Sequence, residues 1–342
     1  MYKKLIGVVH NLPVRSGDAF SEASLDIYTQ VENIEKALKQ LGYPSVRIPF
    51  TRGVIDFIQR IREEKVEMVF NLCETLDEDP RFAGHPAAVL ELLGIPFSGS
   101  PSMAIMLTTD KLVTKRLLKA MRIMTPNYLV YDNMSPFYPA VLRFPVIVKP
   151  RFEDASIGID QESIFEDEIG LGKELEGFFN RFGTLLVEEY VAGREFNISI
   201  FGYPSPRVLP IAEMDFSGFP KELYHIAGYR AKWEKASFEY RNTSPSFPQE
   251  LPHDLLKELE ITGMVCFCLL MLRDYGRVDV RVDDLRQIHV LEVNANPCLS
   301  PDAGFAAAVQ QAGMSYTEMV SQLVDFIERR SRNNVRQASH TS

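Results

Sequence analysis

Two short runs of alternating residues, Gly276-Arg-Val-Asp-Val-Arg-Val282 and Val290-Leu-Glu-Val-Asn-Ala-Asn-Pro297, constrain this chain more than any other feature. Side chains along a strand alternate between faces, so Arg277 and Asp279 point the same way, as do Glu292 and Asn294. The turn-rich stretch from Asp283 to Gln287 lets the two runs pair as a hairpin. Two carboxylates, an amide and a guanidinium would then meet on one surface, with Val278, Val280, Leu291 and Val293 on the other. Hard oxygen donors of this kind suit Mg²⁺ held together with phosphates. A solvated sheet face with ordinary salt pairs competes with that reading, and only other motifs can separate the two.

The 342 residues exceed one small core and fit two or three modules of roughly 100 to 150 residues. No long apolar run occurs: Leu5 to Val9 is too short for a signal-peptide core and reads as a buried strand, which predicts a cytoplasmic protein. Cys73, Cys266, Cys268 and Cys298 have neither metal-type nor disulfide-scaffold spacing, and six scattered histidines argue against a zinc site. A formal charge of −9 argues against a nucleic-acid partner. Any anionic ligand must be met by local cations.

The chain begins as βαβαβ: a strand over Lys3 to His10, a helix over Leu25 to Leu41 stopped by Gly42, then Ser45 to Ile48, Val54 to Ile61 and Val66 to Asn71. A helix around Ala87 to Leu93 and a short strand at Ile95 to Phe97 close an α/β domain over residues 1–100. A second unit, 101–190, holds a helix from Lys111 to Met121 capped by Asp110, strands at Val146 to Pro150 and Leu185 to Val191, and a helix through Glu174 to Phe179. The third, 191–330, has strands near Phe196 to Phe201 and Val208 to Ala212 and a long irregular stretch, 216–247, of the kind that forms lids. The helix Asp254 to Cys268, the strand pair and the amphipathic helix Tyr316 to Arg330 complete it. Residues 331–342 read as a loose polar tail.

Cations are present where an anion would need them. Lys149 leaves a strand beside Glu153-Asp-Ala-Ser-Ile-Gly158, whose small residues let backbone N–H groups approach phosphate oxygens. Lys111 sits in the first turn of its helix, where a cation is mildly disfavoured unless an anion joins it. Either lysine read alone is an ordinary surface residue. Glu188-Glu-Tyr-Val191 joins two units, followed by Gly193 and Glu195; its backbone could pair with an adenine edge, and Glu195 could take ribose hydroxyls.

The order of these elements resembles the ATP-grasp superfamily, and within it the D-alanine:D-alanine ligase group. The resemblance rests on Leu90-Glu-Leu-Leu-Gly-Ile-Pro-Phe-Ser-Gly99, Asp110-Lys111 with Thr114-Lys-Arg-Leu117, Thr125-Pro126, Pro145-Val-Ile-Val-Lys-Pro150, Val187-Glu-Glu-Tyr-Val-Ala-Gly-Arg-Glu195, Gly276-Arg-Val-Asp279 and Leu291-Glu-Val-Asn-Ala-Asn-Pro297. It implies a three-domain ATP-grasp fold of mixed α/β and α+β character, opened by an α/β domain. It further implies that Lys111, Lys149 and Ser156 meet ATP phosphates, that Glu188, Glu189, Tyr190 and Val191 flank the adenine, and that Glu195 takes the ribose. Asp279, Glu292 and Asn294 would hold two Mg²⁺ ions, which Mn²⁺ could replace. Lys232 would be the lid lysine at the γ-phosphate, Arg277 would face the reacting carboxylate, and Glu22 would receive the first amino group. Relatives of this kind are often homodimers.

The departures from the family pattern fall on the substrate side. Its glycine-rich segment of the first domain is replaced by Asn71-Leu-Cys-Glu-Thr-Leu-Asp-Glu-Asp-Pro-Arg81. Ala155 stands for a serine that would help lock the lid, Trp233 for the lid tyrosine, Cys298 for a glycine and Ala303 for a serine near the acceptor's carboxylate, with Ser300 and Asp302 nearby. The expectation is therefore an ATP-dependent carboxylate–amine ligase acting through an acyl phosphate on an amino acid or related small metabolite. A true D-alanine–D-alanine ligase, a non-ligating or kinase-like ATP-grasp protein, and a structural partner of a larger assembly are the rival readings.

Overall fold

A computed structural model describes residues 3–13 and 20–338. The first sheet is parallel, in the order β2-β1-β3, with β1 (Ile6–His10) between β2 (Ser45–Pro49) and β3 (Met68–Asn71). The connections are α1 (Ser21–Gln40) and α2 (Val54–Glu63). All five residues of β1 are buried, as a strand covered on both faces requires. The strand expected at Ile95 to Phe97 is only a bridge from Phe97 to Val69. It follows α3 (His85–Leu93), which ends on Gly94 in the left-handed conformation.

Next come α4 (Ser102–Thr109) and α5 (Lys111–Ala120). The Asp110 carboxylate caps α5 by accepting from the N–H groups of Leu112 at 3.1 Å and Val113 at 3.2 Å. That cap starts the helix at Lys111. The second sheet is antiparallel in the order β4-β7-β5-β6, from β4 (Tyr128–Tyr131), β5 (Val146–Pro150), β6 (Ile164–Phe165) and β7 (Leu185–Glu189), and α6 (Glu168–Phe182) packs on it. Leu171, Leu175, Val146, Val148, Leu185 and Val187 form its separate core.

The third sheet runs β11-β10-β8-β12-β13, with the short β9 (Arg207–Val208) on β8 (Arg194–Gly202). Between β10 (Ala212–Asp215) and β11 (Ser244–Ser246) lies the stretch read as an irregular lid. It contains two one-turn helices, α7 (Tyr229–Trp233) and α8 (Phe238–Asn242). Helix α9 (His253–Leu269) packs Leu255, Leu259, Cys266 and Phe267 into the core that also takes Val278, Val280, Val290 and Val293. Each of these four valines is at most 1% exposed, worth roughly 1.5–3 kcal/mol apiece.

The hairpin itself, β12 (Asp274–Val282) and β13 (Ile288–Asn294), pairs Arg277 with Asn294 and Asp279 with Glu292. The four polar side chains therefore share one face, as the alternation predicts. One residue departs from it. The register shifts after Asp279, so that Val280 faces Val290 and Leu291 is the unpaired residue of a β-bulge. Leu291 consequently leaves the core side and turns to the face of Asp279 and Glu292, where it lines a cavity. After the hairpin, α10 (Gly304–Gln311) and α11 (Tyr316–Ala338) cover the first sheet and α1 with Phe305, Val309, Met319, Val320, Leu323 and Phe326. Helix α11 runs on through 331–338, which sequence reading left to a loose tail, because no breaker interrupts that polar segment; residues 339–342 lie outside the described residues.

Candidate active site

A cavity of about 90 Å³ lies where the second sheet, the β12–β13 wall and the lid meet. Lys111, Lys149, Ser156, Glu188, Glu189, Tyr190, Val191, Glu195, Lys232, Asp279 and Glu292 all line it, so eleven residues selected from sequence converge from both sheets, α5 and α7. Arg277 and Asn294 stand on the same strand face just outside its lining, and Glu22 is exposed on α1 and lines no described cavity.

The acids of this cavity are matched to cations. Glu188 is fully buried between Lys149, at 2.9 Å, and Lys115, at 3.1 Å. Burial opposes ionisation of Glu188, yet the two lysines hold its carboxyl below the usual range. Lys115 is itself 1% exposed, and burial brings its ammonium down to about 8 despite Glu188. Glu195 accepts from Arg281 at 2.8 Å, and Arg281 also donates to the carbonyl of Val191 at 2.8 Å. Neither Lys115 nor Arg281 was selected from sequence. Their partners lie 73 and 86 residues away, so only the folded chain reveals the pairs.

On the wall, Arg277 grips Asp279 through Nε and Nη2, both at 2.8 Å, and Asn197 donates to the same carboxylate at 2.9 Å. Glu292 lies 3.7 Å from Lys111 and shares a hydrogen bond with Asp154. Burial disfavours the Glu292 anion, but Lys111, the Asp154 contact, Lys232 and Arg277 outweigh it and hold the carboxyl below the usual carboxylate range. Burial and Glu292 instead push the Asp154 carboxyl up from its usual range, despite Lys111. Lys111, 5% exposed, donates to the Glu153 carbonyl and lies 3.4 Å from Asp154.

The loop after β5 is held open by backbone conformations that side chains rarely adopt. Ala155 and Ser156 have φ of 55° and 61°, and Gly158 has φ of 75°. A Cβ at Gly158 would approach Phe182 to 2.8 Å and Pro150 to 2.9 Å, so glycine is required there. The lid closes on this loop without the missing serine. Trp233 donates its indole N–H to the Ala155 carbonyl at 3.0 Å, and Ser156 donates its hydroxyl to the Ala227 carbonyl at 2.8 Å. Tyr229 of the lid packs edge-on against Phe20, with ring centroids 4.8 Å apart.

Among the residues that depart from the family pattern, the Cys298 thiol turns to Asp26, at 3.0 Å, rather than into the cavity, and Ser300 also donates to Asp26, at 3.1 Å. Asp302 is exposed and Ala303 precedes α10.

Residues 131–325 match the family model described as D-ala D-ala ligase C-terminus. The D-alanine–D-alanine ligase of Thermotoga maritima is 31% identical over 293 residues, covering 84% of this chain and 88% of that protein. This chain belongs to the D-alanine–D-alanine ligase family. An uncharacterised Sinorhizobium fredii protein, y4sG, is 30% identical over 306 residues, with 87% of each chain covered. The fold agrees with that of the Bacillus anthracis D-alanine–D-alanine ligase crystallised with ATP, at a TM-score of 0.73 over 96% of this chain and 99% of the other, with 22% identity. The VanG D-Ala:D-Ser ligase of Enterococcus faecalis superposes at 0.70 over 95% of this chain and all of the other, with 18% identity. As a D-alanine–D-alanine ligase family member, the protein is an ATP-dependent carboxylate–amine ligase that forms a peptide-type bond, and the kinase-like reading is set aside. None of the helices among the described residues is long and apolar enough to cross a membrane.

Proposed function

We propose that this ligase joins two small amino-acid-like substrates other than a pair of D-alanines, with ATP bound in the cleft between the second sheet, the β12–β13 wall and the lid. The observation that carries the reading is the shared face of Arg277, Asp279, Glu292 and Asn294 opposite Lys111, Lys149 and Lys232. In this reading Lys111, Lys149, Lys232 and the Ser156 loop receive the phosphates, the Glu188–Val191 segment flanks the adenine, and Glu195, held by Arg281, takes the ribose.

Among the described residues no three His, Cys, Asp or Glu side chains cluster as a self-sufficient metal site. Asp279, Glu292 and Asn294 provide two carboxylates and an amide, a set that fits Mg²⁺ sharing its coordination with phosphates. When bound, Mg²⁺ would neutralise phosphate charge. The lysines supply the rest of that neutralisation. A substrate carboxylate oxygen attacks the γ-phosphorus of ATP, forming an acyl phosphate while ADP leaves; a free amine then attacks the acyl carbon, and phosphate departs with the C–O electron pair as the amine loses a proton. Arg277, locked in place by Asp279, faces the oxyanion of the second step. The lid pinned by Trp233 and Ser156 excludes water that would hydrolyse the acyl phosphate.

Support for substrates other than two D-alanines comes from Cys298, Ala303 and the Asn71-to-Arg81 segment, which replace family residues on that side. Four free cysteines support a reducing, cytoplasmic setting. Phosphate release with ATP and Mg²⁺ across pairs of amino acids tests the proposal. Stimulation by a pair other than D-alanine with itself is expected; a preference for two D-alanines would overturn the substrate assignment, and no stimulation by any pair would overturn the ligase reading.

A further inference from the structure

A second cavity, of about 30 Å³, lies between the Asn294 end of the wall, the phosphate loop and the segment after β3. Asn294, Asn296, Asp154, Glu74, Thr108 and Thr109 give it its polar lining, and no lysine, arginine or histidine lines it. Most of those groups are satisfied. Thr108 and Thr109 donate to α4 carbonyls at 3.0 Å and 2.9 Å, and Asp154 has Lys111 at 3.4 Å. Asn296 is fixed on both sides, accepting from the Tyr275 hydroxyl at 2.8 Å and donating to the Cys73 carbonyl at 3.3 Å.

Glu74 is the exception. It is half-buried, accepts from Gln30 at 2.9 Å, and has no ion pair with a lysine, arginine or histidine among the described residues. The charge closest to it in influence is another acid, Asp26, whose own carboxylate is held by Cys298 and Ser300. A partly desolvated carboxylate beside a like charge is costly unless a cation arrives. The cavity can admit one: about 30 Å³ exceeds the roughly 10–15 Å³ that a water-sized group needs. An ammonium is of that size.

We propose that Glu74 receives a primary ammonium group of the amino-acid substrate in this cavity. The inference rests on the ligase reading above and deepens it. It also moves recognition of that group away from Glu22, which is exposed and lines neither cavity, to an acid of the segment that replaces the family's glycine-rich loop. The ammonium is either the α-amino group or one at the end of a side chain, and the fixed Asn296 and Asn294 place it next to the reacting wall.

Calorimetric titration of the full-length enzyme, saturated with ADP and Mg²⁺, tests this with three probes. Alanine carries only an α-ammonium, 5-aminopentanoate only a terminal one, and ornithine both; chiral probes are used as each enantiomer. At least one probe should bind wild type, with Glu74→Gln weakening it about tenfold or more, since a hydrogen bond to a charged group is worth ~1.5–3 kcal/mol. Glu74→Asp should recover part of the affinity, and ADP binding should be unchanged throughout. Alanine binding better than 5-aminopentanoate assigns the α-ammonium, and the reverse assigns the side chain. Failure of all three probes to bind wild type, unchanged binding in Glu74→Gln, or a larger loss in Glu22→Gln than in Glu74→Gln overturns the proposal. Amine-dependent ADP release, measured separately, judges the ligase reading on its own.

Discussion

The two cavities along the β12–β13 wall, one beside Asp279 and Glu292 and one at its Asn294 end, are charged in opposite styles. In the larger one Glu188 lies between two lysines, Glu195 meets Arg281, Asp279 meets Arg277 and Glu292 lies near Lys111. In the smaller one Glu74, and Asp26 beyond it, have neutral donors, namely Gln30, Cys298 and Ser300. A cation-rich pocket whose charges are already paired can lend lysines to incoming phosphates and hand them back afterwards. An acid supported by neutral groups has nothing to lend and instead waits for a cation. Under the proposed function, that difference would separate the part that activates a carboxylate from the part that chooses the molecules.

The largest expected effect lies on the wall. Glu292→Gln should lower amine-dependent ADP release by about a thousandfold or more, ~4 kcal/mol in barrier, with an unchanged circular dichroism spectrum. Turnover near wild type would remove Glu292 from the reacting centre and with it the contrast between the two cavities.

Lys115→Met should cost about 3 kcal/mol in urea denaturation, because it strips one of two cations from a fully buried carboxylate. Adding Glu188→Gln should recover most of that loss. A single-mutant loss below about 1 kcal/mol would mean that Lys149 alone neutralises Glu188, making the larger cavity less tightly matched than described.

A pH comparison sharpens the other side. Burial lifts the Glu74 carboxyl from 4.5 to about 7. A carboxyl raised on folding keeps its proton longer in the native state, so its contribution is full below about pH 4.5 and is lost as pH rises towards about 7. Glu74→Gln lacks that slope. Relative to wild type it should gain on the order of 2 kcal/mol of stability between pH values of about 5 and 8, read from paired urea melts. Parallel curves would indicate that Glu74 already has a cation.

The smallest effect concerns the lid. Trp233→Phe keeps a ring but loses the donor to Ala155, a bond worth ~1 kcal/mol, so kcat should fall about fivefold. The ratio of ADP released to product formed should rise as water reaches the acyl phosphate. An unchanged ratio would leave the lid's hold to Ser156 and Tyr229.

What could be read from the sequence follows the range of the interactions involved. The paired strands, the Asp110 cap and the cation positions are local patterns, and each has its place in the folded chain. The bulge at Leu291 was not legible, because strict alternation assigns that residue to the core and only the register against β12 displaces it. Helix α4 was missed because its residues, Ser-Met-Ala-Ile-Met-Leu-Thr-Thr, show no apolar stripe. Lys115 and Arg281 lie inside motifs read from the sequence but have no role there, because only folding sets them against Glu188 and Glu195. Glu74 stood in a segment that keeps acids but loses the family's glycines, and its isolation from cations is a property of the space around it.

The bond from Trp233 ends on a backbone carbonyl. Every amino acid offers that oxygen, so residue 155 can drift under mutation without unfastening the lid, provided it still tolerates a φ near 55°. A serine–tyrosine lock would tie the fate of two codons together; this one makes the inheritance of lid closure depend on the indole alone. Descendants of this chain therefore have room to vary the loop after β5, one substitution at a time.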